Sequence, residues 1–566
     1  MQHVVYILLR RMRLPLIVLI STYAISIVIL TLIPGVDDQG NPWRMDFFHA
    51  IYFVSFLGST IGFGEIPYAF TDAQRMWTTV IIYATVVAWL YAIGSLLGII
   101  QDQSLRKFIQ RGSFVRKVKH SPDPFYLVCG YGGAANMLVG ELAERGIKCV
   151  VVERDQEKIS ALEVQDLREY VPALCADATD PDNLLAAGLK HPKCRGVIAL
   201  TGDDGANLTI AISSKLLTPQ LPVICQSETA DTAANMASFG TDHIIDPFEI
   251  FASRFAMMFH SPSMHLVYEW ITAPHHTALS DFRNPPTGTW ILCGYGRFGK
   301  AIHKHLSMEG VPMRFIEADI AGTGAPEGTF EGRGTEADTL IAAAVQYTAG
   351  IIAGTDDDAN NLSILLTAKD LKADLFTVCR QNRKNKNMIF GAADVDLIMH
   401  PDTIVARHAL SLITAPLLDD FLQLANCEND EWANVLVSRV AGVVEDLSPE
   451  TWDLTISLTD APAALHCLVE YMQVTLGNIC CDPADREHTL PCVPLLIKRE
   501  SGQILLPEMD EPLQAGDRIL FCGHEQAASR IRQLVHDHRA LEYVRTGIDR
   551  PSGLLWHWLT KHRQAS

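Results

Sequence analysis

The stretch Thr60-Ile61-Gly62-Phe63-Gly64-Glu65 lies between two long apolar segments of a 566-residue chain, and its placement decides how the rest is interpreted. The two segments, residues 14–33 and 76–100, contain no charged residue. At ~1.5 Å rise per residue each is long enough to cross a ~30 Å hydrocarbon core as a helix. Gly62 and Gly64 permit positive φ angles, so successive backbone carbonyls can point toward one axis.

The hexapeptide resembles the selectivity filter of potassium channels, whose usual core is Thr-Val-Gly-Tyr-Gly followed by Asp. The resemblance implies that the backbone carbonyls of residues 60–63 replace the water around K⁺. It also implies a homotetramer, because one chain supplies one loop of the ring. The apolar residues 47–57 before the loop have the length of a pore helix. Phe63 and Glu65 depart from the usual Tyr and Asp, which leaves a non-selective monovalent cation channel open as an alternative.

Basic residues near the ends of the apolar segments predict the orientation in the membrane. Arg44 and Arg75 are the only lysine or arginine residues between the two helices, whereas such residues cluster before the first helix and after the second. The chain is therefore expected in the inner membrane of a cell, with both termini in the cytoplasm. The sequence has no arginine-rich helix of the voltage-sensor kind. The cytoplasmic cluster comprises Arg10, Arg11, Arg13, Arg106, Lys107, Arg111, Arg116, Lys117 and Lys119.

The composition limits the other partners. The formal net charge of −19 argues against nucleic acid as a partner. The thirteen cysteines are scattered without a CxxC pair, as expected of a reduced compartment. The expected surroundings are a lipid bilayer for the apolar segments and the cytoplasm for the remainder.

The chain after the apolar segments contains one pattern twice. Each copy begins with a short apolar strand and a glycine turn, at residues 125–135 and 290–299. Each then reaches a second strand that ends in an acid, Glu153 or Glu317, about 20 residues after the turn, the spacing of a ribose-binding carboxylate. Alternating strands and helices at this spacing predict a parallel, doubly wound sheet in each copy.

The downstream parts of the two copies also correspond. The strand at 196–200, with Asn207 after it, matches the strand at 350–354, with Asn360 after it. This order resembles the RCK (regulator of K⁺ conductance) domain, and residues 493–523 resemble the small β-rich subdomain that ends many RCK proteins. The resemblance is to a prokaryotic two-transmembrane potassium channel with tandem cytoplasmic RCK domains.

The glycine turns are the candidate nucleotide sites, because a helix N-terminus behind such a turn offers free N–H groups and a positive dipole end to phosphate. The acid that follows favours NAD or ADP over NADP. Arg333 stands where the first copy has Asp177, so the copies are expected to differ in ligand or occupancy. A vestigial turn that binds nothing is the alternative for either copy. The candidate residues are Gly130, Gly132, Ala135, Glu153 and Asp177 in the first copy and Gly294, Gly296, Arg297, Gly299 and Glu317 in the second.

The predicted fold is an all-α membrane pore fused to two Rossmann-like α/β RCK domains and a small α+β subdomain. The predicted boundaries are a pore domain at 1–103 (transmembrane helices 14–33 and 76–101, pore helix 46–58, filter 60–65), a linker at 104–121, RCK domains at 122–284 and 285–430, a C-terminal subdomain at 431–545 and a tail at 546–566.

The expected function is ligand-gated, K⁺-selective transport, without enzymatic activity, through a tetramer whose eight RCK domains form a gating ring. In the second helix, Gly94 and Gly98 are candidate hinges, and Leu97 lies at a candidate constriction. Close helix packing is the alternative role of Gly98. The family resemblance also implies control by a divalent cation such as Ca²⁺, but spacing singles out no ligand set. A membrane-tethered NAD-dependent oxidoreductase is disfavoured, because nothing resembles a substrate domain with a positioned acid or base.

Overall fold

The computed structural model describes residues 2–62, 64–101, 103–273, 283–382, 387–444 and 447–548. The chain divides into two compact units, residues 1–120 and 121–566. The predicted tail at 546–566 lies largely outside the described residues.

The first unit contains the apolar helices. Met12–Leu32 and Asp72–Gly98 are long and apolar enough to cross a membrane, as predicted. A shorter helix lies between them in the sequence and packs on both through the buried Leu30, Ala50 and Ile81. The elements are α1 (Gln2–Leu32), β1 (Pro34–Val36), β2 (Pro42–Arg44), α2 (Phe47–Gly58), α3 (Asp72–Ile100) and α4 (Gln103–Lys119).

The first sequence copy folds as a six-stranded parallel sheet with strand order β5-β4-β3-β6-β7-β8. This is the doubly wound order predicted from the sequence, with the glycine turn at the central strand. Its elements are β3 (Phe125–Cys129), α5 (Gly133–Glu144), β4 (Lys148–Glu153), α6 (Gln156–Val164), β5 (Ala173–Cys175), α7 (Pro181–Ala186), β6 (Cys194–Ala199), α8 (Asp204–Leu217), β7 (Val223–Gln226), α9 (Ala230–Ser238), β8 (His243–Ile245), α10 (Pro247–His260) and α11 (Pro262–Ile271).

The second copy repeats this topology with strand order β11-β10-β9-β12-β13-β14, which confirms the second predicted sheet. A short 3-10 helix (Val345–Tyr347) precedes β12. The elements are β9 (Trp290–Cys293), α12 (Arg297–Met308), β10 (Met313–Glu317), α13 (Ile320–Thr323), β11 (Phe330–Glu331), α14 (Ala337–Ala342), β12 (Gly350–Ala353), α15 (Asp358–Leu371), β13 (Phe376–Arg380), α16 (Asn387–Ala392), β14 (Leu397–Met399) and α17 (Pro401–Thr414).

The C-terminal part is an antiparallel sheet of order β15-β20-β18-β19 with helices around it. Trp270 of α11 donates from Nε1 to the Leu447 carbonyl at 2.9 Å, so the first copy contacts this part directly. The elements are α18 (Leu418–Ala425), α19 (Asp430–Val444), β15 (Glu450–Thr455), α20 (Pro462–Val469), α21 (Leu476–Cys480), β16 (Cys481–Asp482), β17 (Asp485–Thr489), β18 (Cys492–Arg499), β19 (Gly502–Leu505), β20 (Arg518–Gly523), α22 (Glu525–His536) and α23 (His538–Thr546).

The two sheets exchange their last helices. Helix α10 follows the first sheet but packs on α12 of the second, where Phe248 and Phe255 join the buried cluster around Phe298. Helix α17 follows the second sheet but packs on α5 of the first, where Ala409 joins the cluster around Leu138. Each glycine turn therefore borders a helix of the other copy.

A buried asparagine joins neighbouring strand ends in each copy. Asn207 accepts from the Thr201 backbone N–H and hydroxyl and donates to the carbonyls of Thr201 and Gln226. The equivalent residue in the second copy is Asn361, which makes the same bonds with Thr355 and Arg380. The sequence pairing of Asn207 with Asn360 is therefore wrong by one residue, because the pattern Asp-Asp-x-x-Asn begins one residue later in the second copy.

Asn361→Ala is expected to weaken the second sheet, since it removes the partner of Thr355, just beyond β12, and of the Arg380 carbonyl at the end of β13. The loss of several neutral hydrogen bonds predicts that the free energy of opening β13 falls by about 2–4 kcal/mol. Native-state hydrogen exchange of residues 376–380 measures this. Asn360→Ala is the control and should change it little. Equal effects of the two substitutions would contradict the assignment.

Candidate functional site

The short helix α2 is held at both ends by specific contacts. Asp46 caps its start, accepting a hydrogen bond from the His49 backbone N–H at 2.8 Å. At its end, a Cβ at Gly58 would overlap the hydroxyl of Tyr23, which accepts from Trp89 Nε1 at 2.7 Å. The absence of a side chain at Gly58 lets α2 approach the Tyr23–Trp89 hydrogen bond that joins α1 to α3. The sequence alone did not reveal this role of Gly58.

The predicted filter begins as the terminating turn of α2. The Ile61 N–H donates to the Phe56 carbonyl at 3.0 Å and the Thr60 N–H to the Leu57 carbonyl at 3.1 Å, which is the Schellman pattern. Thr60 occupies the left-handed position of this motif with φ of +62°. Glycine usually fills that position, and a β-branched residue there is strained by ~1–2 kcal/mol. The loop is thus fixed to the helix end at its first two residues.

The two glycines of the predicted filter adopt the left-handed conformation that the sequence permits. Gly62 has φ of +64° and Gly64 has φ of +99°. A Cβ at either would meet no atom of this chain within 4 Å, so backbone conformation rather than crowding requires glycine. Ile61 lies between Thr60 and Gly62 with 60% of its surface exposed. Phe63, the fourth predicted K⁺ ligand, lies outside the described residues.

Glu65 is fixed by a partner that the sequence did not identify. Arg75 at the start of α3 donates from Nε to Glu65 Oε1 at 2.8 Å and from a terminal nitrogen to Oε2 at 3.2 Å. The Phe70 backbone N–H donates to the same carboxylate at 2.9 Å. These hydrogen bonds, that of Arg75 first, hold the pKa of Glu65 below its ordinary value. The carboxylate after the predicted filter is therefore tied to α3 by Arg75.

The predicted gate residues lie on the last turns of α3. A Cβ at Gly94 or Gly98 would meet no atom of this chain within 4 Å, so packing within one chain requires neither glycine. Leu97 is 51% exposed. Helix α3 continues without interruption from Asp72 to Ile100. The hinge and constriction roles of these residues stay predictions.

The two glycine turns have the same backbone course. Gly130 follows β3 with φ of +89°, and Gly294 follows β9 with φ of +95°. A Cβ at Gly130 would lie 2.9 Å from the Leu200 carbonyl oxygen, beyond the end of β6. Gly132 and Gly296 then cap α5 and α12 in extended conformation. Both helices therefore start where the Rossmann arrangement places a phosphate.

The two acids that were predicted to bind ribose accept hydrogen bonds from the backbone of the glycine turns. Glu153 Oε2 accepts from the Tyr131 N–H at 2.6 Å, and Glu317 Oε2 accepts from the Tyr295 N–H at 2.5 Å. In each acid the other oxygen accepts from a backbone N–H two residues later in the chain, at 2.9 Å. A carboxylate has further lone pairs, so both acids retain capacity to accept from a hydroxyl.

The turns differ at the third glycine position. A Cβ at Gly299 would overlap the Gly294 carbonyl oxygen, so glycine is required where α12 meets its turn. Ala135 fills the corresponding position of the first copy and is fully buried.

Beyond β5, Asp177 accepts from the Thr179 N–H and hydroxyl, and these bonds lower the pKa of Asp177. Its counterpart Arg333 is exposed.

The helix exchange places an acid against the first turn. Asp402 lies in the first turn of α17, and a Cβ at Gly133 would overlap its carboxylate. Gly133 is the first residue of α5, so this carboxylate lies beside the helix end that the Rossmann arrangement directs toward a phosphate. Nothing in the spacing of the two copies indicated this contact.

The second turn is bordered by cationic side chains instead. Arg297, inside the turn, forms an ion pair with Glu228 of the first copy at 2.6 Å. The guanidinium carbons of Arg297 and Arg380 lie 5.6 and 4.7 Å from the centre of the Phe248 ring. Burial lowers the pKa of Arg380 from its very high ordinary value. Arg297 therefore pairs with Glu228 beside this helix end, and Arg380 lies over the same Phe248 ring.

The families that match this chain correspond to its first unit and to its two parallel sheets. Residues 16–102 match the family described as Ion channel. Residues 126–247 and 290–401 each match the family described as TrkA-N domain, and these ranges correspond to the two parallel sheets.

Individual relatives are distant. Potassium channel protein 1 of Methanocaldococcus jannaschii is 25% identical over 255 residues, 45% of this chain and 72% of the relative. Voltage-gated potassium channel Kch of Escherichia coli is 23% identical over 215 residues, 38% of this chain and 49% of the relative. A solved structure described as GsuK Channel covers 94% of this chain and aligns over 100% of its own length, with TM-score 0.48 and 16% identity. The chain thus spans about half the length of the Escherichia coli relative.

Arg75→Gln is expected to loosen the loop after Gly64, because Glu65 loses its bidentate partner. We predict that the K⁺ over Na⁺ permeability ratio, measured from reversal potentials in planar bilayers, falls roughly threefold to tenfold. Arg44→Gln is the control, since it removes the same charge from β2 in the same segment. An unchanged ratio in Arg75→Gln, or an equal loss in both variants, would contradict a positioning role for the ion pair.

Proposed function

We propose that this chain, which belongs to the prokaryotic potassium channels that join an ion-channel domain to TrkA-N (RCK) domains, conducts K⁺ and is gated by a cytoplasmic nucleotide. The observation that carries the proposal is the loop after α2. Its first residues are fixed by the Schellman turn at Thr60, and its glycines, Gly62 and Gly64, have positive φ. Such a backbone can direct carbonyls to one axis, where they replace the hydration shell of the ion.

Four chains are required for this chemistry, because one loop supplies only one side of a coordination cage. The first unit carries large apolar side chains that its own fold does not cover, in addition to those expected to face lipid. Phe48 is 81% exposed and Ile61 is 60% exposed. Ile61 belongs to the loop itself and Phe48 to the first turn of α2, and neighbouring subunits would bury such apolar side chains. We propose a homotetramer whose eight RCK domains form the gating ring, with both termini in the cytoplasm.

Flux through reconstituted liposomes tests the pore. We expect ⁸⁶Rb⁺ uptake that Ba²⁺ blocks, and no uptake by Gly64→Ala, since alanine is strained at φ of +99°. Gly40→Ala is the control, because Gly40 also has positive φ, +84°, but lies in the hairpin between β1 and β2. Loss of uptake in both variants, or in neither, would count against the filter assignment. Equal K⁺ and Na⁺ permeability would support the alternative, a non-selective cation channel.

The second glycine turn is the better nucleotide site on electrostatic grounds. A phosphate at the start of α12 would meet Arg297 and, close by, Arg380. At the start of α5 it would meet the carboxylate of Asp402. Glu317, at the end of β10, is placed to accept from ribose hydroxyls, which favours NAD or ADP over NADP. We therefore assign the regulatory nucleotide to the second copy.

Charge variants around Arg297 test this assignment by calorimetric titration of the purified channel with NAD and ADP. Arg297→Gln should weaken binding about tenfold, because it removes a charged donor to phosphate. Glu228→Gln should tighten binding roughly threefold, since Glu228 competes with phosphate for Arg297. Glu249→Gln is the control, because Glu249 pairs with Lys304 and His305 farther along α12. Unchanged binding in Arg297→Gln would refute the site while leaving the pore intact.

Gating follows if the nucleotide binds one ring conformation better than the other, since only differential affinity shifts a conformational equilibrium. The route to the gate is α4, which follows the end of α3 in the sequence and leads to the unit of the sheets. We propose that motion of this connection bends α3 at Gly94 or Gly98 and changes the opening at Leu97.

Two further expectations concern control by Ca²⁺ and the lack of enzymatic activity. Ca²⁺ prefers six to eight oxygen ligands. Within the described part of the chain, the group of side chains close enough to share a metal ion contains two histidines and one glutamate, which does not suit Ca²⁺. We propose that the chain has no enzymatic activity. NADH added to the purified channel together with carbonyl compounds should therefore not be consumed. Turnover would favour the oxidoreductase alternative.

A further inference from the structure

A cluster of metal-binding side chains lies in the C-terminal part of the chain, outside the filter and both glycine turns. His466 is in α20, Glu470 is the C-cap of that helix, and His538 is the first residue of α23. One ligand atom of each lies within 4.8 Å of those of the other two. His466 and Glu470 share a helix face because they are four residues apart.

The distance between the two imidazoles is close to that of a coordination shell. His538 Nε2 lies 3.2 Å from His466 Nδ1, whereas Glu470 Oε1 lies 3.7 Å from the other ring nitrogen, His466 Nε2. One ion binds one nitrogen of each ring, and one ligand atom from each of the three residues lies within 4.8 Å of the others. Two nitrogens at ~2.0–2.1 Å from a tetrahedral Zn²⁺ would be separated by about 3.3 Å. Two imidazole nitrogens at 3.2 Å otherwise require one to donate a proton to the other. A metal ion binds both rings in their neutral form.

The backbone behind the cluster is fixed. Helices α20 and α23 pack on one buried core, in which Cys467, Leu541 and Val544 are buried. The ligands themselves face outward, with the side chains of His466 and Glu470 57% and 52% exposed. A preformed arrangement of three ligands on rigid helices, open to solvent, leaves a fourth position for water.

We propose that His466, Glu470 and His538 bind a divalent transition metal of the Zn²⁺ type and thereby link α20 to α23. Two imidazoles and one carboxylate suit Zn²⁺ or Co²⁺, whereas Ca²⁺ and Mg²⁺ prefer oxygen ligands throughout. Metal binding requires an unprotonated nitrogen on each imidazole. The bound metal stabilises the C-terminal subdomain by mass action.

Metal analysis of the full-length channel in detergent, after equilibrium dialysis against Zn²⁺, tests the site. Each chain of the wild type should retain one more Zn²⁺ ion than each chain of His538→Gln. Glu470→Gln should bind this ion about tenfold more weakly than the wild type. His488→Gln is the control, because His488 pairs with Asp485 at 2.9 Å in β17, a histidine and carboxylate in the same subdomain outside the cluster. An excess of Ca²⁺ should not displace the ion.

Co²⁺ supplies an independent readout on the unmodified protein. Substitution of Co²⁺ for Zn²⁺ should give visible absorption bands of a four-coordinate nitrogen and oxygen site, and Glu470→Gln should change them. Equal Zn²⁺ content in the wild type and His538→Gln, displacement by Ca²⁺, or no such bands in the wild type would each overturn the proposal. These measurements do not depend on ion conduction or nucleotide binding. If His538→Gln does not fold, Glu470→Gln and the Co²⁺ spectrum decide the question.

Discussion

The end of helix α2 is the constraint on which the remainder of the pore depends. Its last carbonyls are occupied by the N–H groups of Thr60 and Ile61, so the loop leaves the helix in one direction. A threonine is held there at positive φ, where glycine is favoured. Strain of this kind persists where the surrounding structure imposes it. The surroundings are Tyr23 and Trp89 at Gly58, and Arg75 at the far end of the loop.

The exchange of helices α10 and α17 has the corresponding role in the second unit. Each sheet completes its fold by packing on the last helix of the other, so the two cannot change conformation independently without opening a buried apolar cluster. The same exchange determines which side chains face each glycine turn. It brings Asp402 to the first turn and Phe248 to the second. The arginines beside the second turn, Arg297 and Arg380, belong to the second copy itself. The two similar motifs thus differ in their charged neighbours, which supports a nucleotide at the second.

Local patterns in the sequence were sufficient to predict the fold. Apolar length predicted the membrane helices, and the repeated strand, glycine turn and acid predicted both parallel sheets. Contacts between distant parts of the chain were not predictable in this way. The pairs Glu65–Arg75, Arg297–Glu228 and Gly133–Asp402 join residues whose spacing follows no motif. The pairing of Asn207 with Asn360 failed because two adjacent asparagines fit the pattern, and only the hydrogen bonds of Asn361 distinguish them. The sequence therefore predicted the candidate filter and turn residues, and it gave no sign of the residues that contact them.

Ion binding to the purified channel tests the central claim most directly, because the role proposed for the loop is to hold a dehydrated K⁺ in a ring of carbonyls. Calorimetric titration of the channel in detergent, in a buffer free of alkali cations, compares K⁺ with Na⁺ at the same ionic strength. We expect K⁺ to bind at least about tenfold more tightly than Na⁺, a difference of roughly 1.4 kcal/mol. Equal affinities, or a monomeric protein that binds neither ion, would contradict this account.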